Sequence, residues 1–165
     1  MMTPRPISSQ DHSLVRRLYG DPERMASIGP AMTHPQIERL MQERLKPWHP
    51  QADHWGCWVL HTEQQALGIV GARRLPMEQA TAEVGFMLLK QGEGQGLASQ
   101  GLDWLCQRAF TEWKLERLVA LCLPDNQRSI RVLRGRGFHE GYRLPESVPW
   151  GTSFRDGVVY LRDRD

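Results

Sequence analysis

The chain has 165 residues, 21 basic and 19 acidic side chains and a net charge of +2, with 40% hydrophobic and 24% charged residues. That length fits one domain over residues 1–165, large enough to bury roughly 68–70% of its unfolded surface without a metal or disulfide staple. The composition excludes disordered and fibrous chains, and the charge excess is too small to indicate nucleic-acid binding.

In chain order, Arg5-Pro6-Ile7 is a short edge strand, a position that tolerates proline. Ser9 caps a helix that runs to about Tyr19 and stops at Gly20. A helical turn over Pro22–Ile28 breaks at Gly29-Pro30. Thr33-His34-Pro35-Gln36 is a capping box with proline in the first turn, opening a helix with Ile37, Leu40, Met41 and Leu45 at helical spacing. Lys46-Pro47 ends it. Trp55–His61 and Ala66–Leu75 are strands around a turn at Thr62–Gln65. Thr81–Leu89 is a third, with Val84, Phe86 and Leu88 on one face and Glu83, Gly85 and Met87 on the other. After the glycine-rich stretch Gln91–Gly96, a long helix reaches about Trp113, with Ala98, Leu102, Leu105, Cys106 and Ala109 on its apolar stripe. Arg117–Leu123 is a buried strand, Asn126 to Arg134 a helix ended by Gly135 or Gly137, and Phe138–Leu144 and Phe154–Leu161 the last strands. This order predicts an α/β fold, a mixed sheet flanked by helices.

No apolar run approaches the ~18 residues of a membrane span, and the first residues lack an apolar signal stretch. Cys57, Cys106 and Cys122 form no Cys-x-x-Cys pair and are expected to be reduced core thiols in the cytoplasm. The histidines show no ligand spacing, so no metal is expected.

Gln91-Gly92-Glu93-Gly94-Gln95-Gly96 lies between a strand and a helix. Its glycines let a ligand approach the backbone, and the orphan amides and dipole of the following helix suit a phosphate or pyrophosphate. It is no Walker loop, because Gly96-Leu97-Ala98 stands where Gly-Lys-Ser/Thr is needed. Leu97 and Ser99 likewise break the dinucleotide fingerprint. A flexible strand-to-helix turn is the alternative reading of the glycines alone.

Glu83-Val-Gly-Phe-Met-Leu followed by Gln91-x-x-Gly94-x-Gly96-Leu97-Ala98 resembles the acetyl-CoA-binding core of the GNAT acyltransferase superfamily. Leu115-Glu-Arg-Leu-Val-Ala-Leu, Pro124-x-Asn126-x-x-Ser129-x-x-Val132-Leu133 and Gly137-Phe138 are similar to its second motif. With Arg5-Pro6, Asp21-Pro22, Trp55, Trp58 and Gly68-x-x-Gly71, the chain looks like the branch of RimJ/RimL-type ribosomal-protein N-acetyltransferases.

The resemblance implies a mostly antiparallel sheet of about six to seven strands, with a splayed parallel pair at the cofactor cleft. It implies that the peptide groups of Phe86, Met87 and Leu88 pair with the pantetheine arm of acetyl-CoA. The pyrophosphate would then lie on the amides of Gln91, Gly92, Glu93, Gly94, Gln95, Gly96, Leu97 and Ala98, and Asn126 would contact the arm while capping its helix. Glu93 departs from the pattern: a carboxylate beside a pyrophosphate has to point into solvent. One or more of Arg128, Arg131, Arg134 and Arg136 could meet the nucleotide's 3′-phosphate, with a solvated basic face as the alternative. Glu83 is the candidate general base, and a salt bridge to Arg73 or Arg74 is its competing explanation. Ser129 is the candidate donor to the cofactor sulfur, because Leu133 stands where many relatives carry a tyrosine acid. A hydroxyl bonded to its own helix is the structural alternative for Ser129.

The expected activity is direct acetyl transfer to a primary amine, such as a protein N-terminus. A small-molecule amine of aminoglycoside or polyamine type, or a non-catalytic acyl-CoA-binding module, remains open. Met25, Ile28, Trp48, Trp55, Trp150 and Phe154 are the expected acceptor wall. The six tryptophans also suggest a homodimer interface.

Overall fold

Alternating apolar positions in the middle of the chain make three strands, β2 (Gly56–His61), β3 (Ala66–Arg74) and β4 (Thr81–Leu88). The computed structural model describes residues Met1–Asp165 and adds β1 (Arg5–Pro6), β5 (Arg117–Cys122), β6 (His139–Trp150) and β7 (Ser153–Asp163). All belong to one sheet in the order β1-β2-β3-β4-β5-β7-β6. Every neighbouring pair is antiparallel except β4 and β5, as the resemblance implies.

Strand alternation divides the core between two faces. Helix α1 (His12–Tyr19) packs Leu14 and Leu18 against Cys57, Val59, Ile69 and Met87. Helix α2 (His34–Arg44) adds Ile37 and Met41, which pack with Val15 of α1. On the opposite face, α3 (Leu97–Thr111) and α4 (Gln127–Gly135) bury Leu102, Leu105, Ile130 and Leu133 against Leu60, Val70, Val84 and Leu118. Each fully buried leucine contributes about 1.5–3 kcal/mol relative to exposure.

The α2 capping box is present, with Thr33 accepting from the Gln36 amide and Gln36 accepting from the Thr33 amide. The first cap lies one residue earlier than expected: Ser8, not Ser9, forms a capping box with Asp11, and a 3-10 turn precedes α1. Asp11 decides this placement, because its carboxylate accepts both the Ser8 amide at 2.8 Å and the Arg5 guanidinium at 2.8 and 3.0 Å. The final hairpin is longer than expected. β6 runs on past the expected end at Leu144, and Pro145 and Pro149 are accommodated because it is an edge strand whose register shifts between Leu144 and Val148.

Trp48, Trp58, Trp104 and Trp113 pack on one another, with ring centroids 4.9 to 5.8 Å apart. No helix is long and apolar enough to cross a membrane, and no cluster of three or more His, Cys, Asp or Glu side chains could hold a metal ion.

Candidate active site

The parallel pair holds for only three steps, from Thr81↔Arg117 to Glu83↔Val119. Beyond Glu83, β4 stays on β3 through Leu88 while β5 stays on β7, to which it is paired from Arg117 to Cys122. The strands part there, and the start of α4 lies beside the gap. Two adjoining cavities follow, of about 300 and 580 Å³, which share Phe86, Met87, Asn126 and Ser129.

The larger cavity runs past Leu88 to Glu93, Ala98, Arg128 and Arg131. It meets the glycine loop, whose Gly94 and Gly96 adopt left-handed backbone angles, φ +77° and +72°. Glycine alone reaches that conformation without cost. The amides of Gly92 and Glu93 bond to the carbonyls of Leu89 and Lys90, whereas those of Gly94, Gln95, Gly96, Leu97, Ala98 and Ser99 have no acceptor within the protein. Unpaired amides at a helix N-terminus are a ready-made anion site. Gly92 serves packing instead, since a Cβ there would lie 3.0 Å from Leu67 Cβ. Gln91 is exposed, and its carbonyl accepts from Gln95 Nε2 at 2.7 Å. Leu97 and Ala98 are buried at the start of α3.

Glu93 does not point into solvent. It accepts from Arg24 at 2.6 Å and pairs with Arg128. The Arg24 hydrogen bond, supported by the charges of Arg128 and Lys90, holds its carboxyl below the usual range. Arg24 also donates to the Leu88 carbonyl at 3.2 Å. The departure at Glu93 is thus compensated within the fold, and two guanidiniums stand at the mouth of the cleft. Of the other basic residues on or after α4, Arg131 borders the cavity without a carboxylate partner. Arg136 bonds to Asp103 at 2.7 Å, and Arg134 lies 3.4 Å from the Tyr160 hydroxyl.

The smaller cavity holds Glu83, Trp55, Tyr19 and Arg44. Glu83 accepts from Arg73 at 3.0 Å across the β3–β4 register and is 21% exposed, so the ion pair and the cavity position coexist. Trp55 lies over the paired Gly71 and Gly85, where a Cβ on Gly71 would approach its ring to 3.3 Å. Asn126 caps α4 through the Ser129 amide at 3.3 Å. Ser129 borders both cavities, and its amide, not its hydroxyl, makes the bond to Asn126.

Of the expected acceptor wall, only Ile28 and Trp55 line this cavity. Met25 is in the core beneath α1, Trp48 is in the aromatic cluster, and Trp150 stacks under Arg155 at 3.6 Å. Phe154 is exposed, and the hairpin reaches the cavity through Val148 instead. Cys57 and Cys122, expected as core thiols, are buried and also line it. Burial pushes their thiols up to about 12 and about 11, so both are neutral at pH 7.

Residues 2–139 match the family described as acetyltransferase (GNAT) domain. The chain belongs to the GNAT acetyltransferase family. It is 31% identical over 105 residues to the ribosomal-protein-serine acetyltransferase of Escherichia coli strain K12. That match covers 64% of this chain and 59% of the relative's length. Among solved structures, RimL, the ribosomal L7/L12 alpha-N-protein acetyltransferase, in complex with coenzyme A superposes with TM-score 0.82 at 17% identity, covering 98% and 93% of the two chains. The spermidine N-acetyltransferase of Vibrio cholerae in complex with CoA and spermine gives 0.79 at 17%, covering 98% and 94%. These two likenesses concern the fold.

Proposed function

We propose that the chain moves an acetyl group from acetyl-CoA directly to a primary amine, with a peptide N-terminus as acceptor. The observation that carries this reading is the row of unpaired amides from Gly94 to Ser99 at one end of a cleft whose other end holds Glu83. The amides and α3 dipole would hold the pyrophosphate, with Arg24, Arg128 and Lys90 adding positive charge. The parted edge of β4 at Phe86 and Met87, with Asn126 opposite, would hold the pantetheine arm. Acetyl-CoA supplies an activated thioester.

The amine must lose a proton as its nitrogen bonds to the carbonyl carbon and the carbon–sulfur bond breaks. Arg73 occupies Oε1 of Glu83, leaving Oε2 to take that proton directly or through water. Ser129 borders both cavities with a free hydroxyl and donates to the sulfur as negative charge develops there. Cys57 and Cys122 stay neutral, which favours direct attack over an acetyl-cysteine intermediate.

The named activity of the Escherichia coli relative supports a protein N-terminus as acceptor. The polyamine reading, suggested by the spermidine N-acetyltransferase fold, has little support inside the cavity: Glu83 is the only carboxylate lining it, and Arg73 holds it. Thiol release from acetyl-CoA across a panel of peptides and amines, with products identified by mass spectrometry, tests the reading. Peptide N-acetylation is expected. CoA binding with no acetylated product from any acceptor would establish a non-catalytic module instead.

A further inference from the structure

The acceptor cavity carries a cation that the chemistry above does not use. Arg44, the last residue of α2, lines it beside Tyr19, Cys57 and Trp55. Its side chain is only 13% exposed. Its one carboxylate neighbour is the adjacent Glu43, 3.4 Å away and itself 44% exposed. Glu43 does not line this cavity; it borders a separate surface depression with Arg39, Gln42, Lys46, Asp53 and His54.

The remaining charges do not balance Arg44. Glu83 is the only carboxylate lining the cavity and is held by Arg73. Burial raises the Tyr19 hydroxyl and the Cys57 thiol, so both are neutral. Arg44 and Arg73 also flank one indole, with guanidinium carbons 5.7 and 5.2 Å from the Trp55 ring. Arg44 is the only cation lining the cavity, and Arg73, which does not line it, pairs with Glu83 from the far side of the Trp55 ring, so Glu83 is already engaged. A mostly desolvated guanidinium without a full partner is costly, and a planar, two-oxygen anion satisfies its donor fork.

We propose that Arg44 selects acceptors that carry a carboxylate close to the reacting amine, whether the acidic side chain of a peptide N-terminus or the carboxylate of a free amino acid, and that it disfavours polycationic amines. This inference rests on the acetyl-transfer reading of the same cleft. The amine enters toward Glu83 and the carboxylate pairs with Arg44 along the Trp55 face. Polyamines and aminoglycosides would bring positive charge against Arg44 with no free carboxylate to receive them.

The test compares kcat/KM for three C-terminally amidated peptides, Ser-Asp-Asp-Ala, Ser-Ala-Ala-Ala and Ser-Lys-Lys-Ala, with free serine, serine amide and spermidine in parallel. A charge-assisted hydrogen bond predicts that the acidic peptide exceeds the basic one by about ten- to a hundredfold. Free serine above serine amide assigns the main-chain carboxylate as the partner; the acidic peptide above both assigns the side chain. Arg44→Ala should collapse the acidic preference, Arg44→Glu should invert it, and Arg44→Lys should restore part of it. CoA affinity by calorimetry serves as the folding control. Equal use of acidic, neutral and basic peptides by the wild type together with no preference for free serine over serine amide, or a preference for spermidine, overturns the inference while leaving acetyl transfer intact. CoA binding without turnover on any acceptor overturns the transfer reading itself.

Discussion

Glu83 pairs with Arg73 through Oε1 and also lines the smaller cavity, where the proposed transfer gives it the amine's proton. Glu83→Gln keeps the shape and a hydrogen bond to Arg73 but removes the proton acceptor. Turnover should fall about 10²–10⁴-fold, with CoA affinity nearly unchanged because the nucleotide end of the cleft is remote from it. Full activity of this variant across pH 6–9 would reduce Glu83 to its ion pair. Ser129→Ala should cost only about tenfold, since water can take over a single donor. Glu83 was readable in the sequence because strand alternation separates it from Val84 and Phe86. Arg24 and Arg44 were not: Arg24 meets Glu93 across 69 residues of chain, and Arg44 reaches the cavity from the end of a helix whose capping and apolar spacing say nothing of where it docks.

At the scale of elements, the glycine loop divides its labour. A Cβ at Gly94 would meet no atom within 4 Å, and aspartate tolerates the left-handed backbone better than most residues. Gly94→Asp should therefore fold and lose CoA binding through charge, which calorimetry on the folded variant measures; unchanged affinity would move the pyrophosphate elsewhere. Gly92→Ala instead crowds Leu67 and should cost about 1–3 kcal/mol of stability in chemical denaturation. Glu93→Gln releases the ion pairs with Arg24 and Arg128 and removes a negative charge from the cleft mouth. CoA should then bind several-fold tighter and with steeper salt dependence; weaker binding would mean that Glu93 is needed to order the two guanidiniums. The loop, the α2 capping box and the strand–helix order were legible because each is a local pattern. The full length of β6 was not, because only its edge position, set by the whole sheet, allows Pro145 and Pro149 within it.

Across the whole molecule, β1 is held to the start of α1 by the Arg5–Asp11 pair, and Asp11 is 4% exposed. Burial alone would raise the Asp11 carboxyl, but hydrogen bonds from Arg5 and Ser8 outweigh it and hold it below its ordinary value. Its stabilising contribution is therefore complete above the unfolded value near pH 4 and is lost as pH falls through the lower folded value. Asp11→Asn should cost about 1–3 kcal/mol at pH 7 by denaturant titration, and the gap to wild type should shrink below about pH 4. A gap that persists at pH 2 would assign the effect to packing. The tryptophans that suggested a homodimer are partly accounted for inside the chain, where four of them pack edge to face or stacked on one another. Their number therefore gives no independent argument for an interface.

The central claim is that acetyl passes in one step from thioester to amine within the parted β4–β5 cleft. Intact-protein and peptide mass spectrometry after rapid mixing of stoichiometric enzyme, acetyl-CoA and Ser-Asp-Asp-Ala amide tests it most directly. The account predicts an N-acetylated peptide appearing together with free CoA, at an unchanged enzyme mass and with the rate depressed in Glu83→Gln. An acetylated Cys57 or Cys122 that forms and decays at the rate of product formation, or bound CoA with no acetylated peptide, would contradict it.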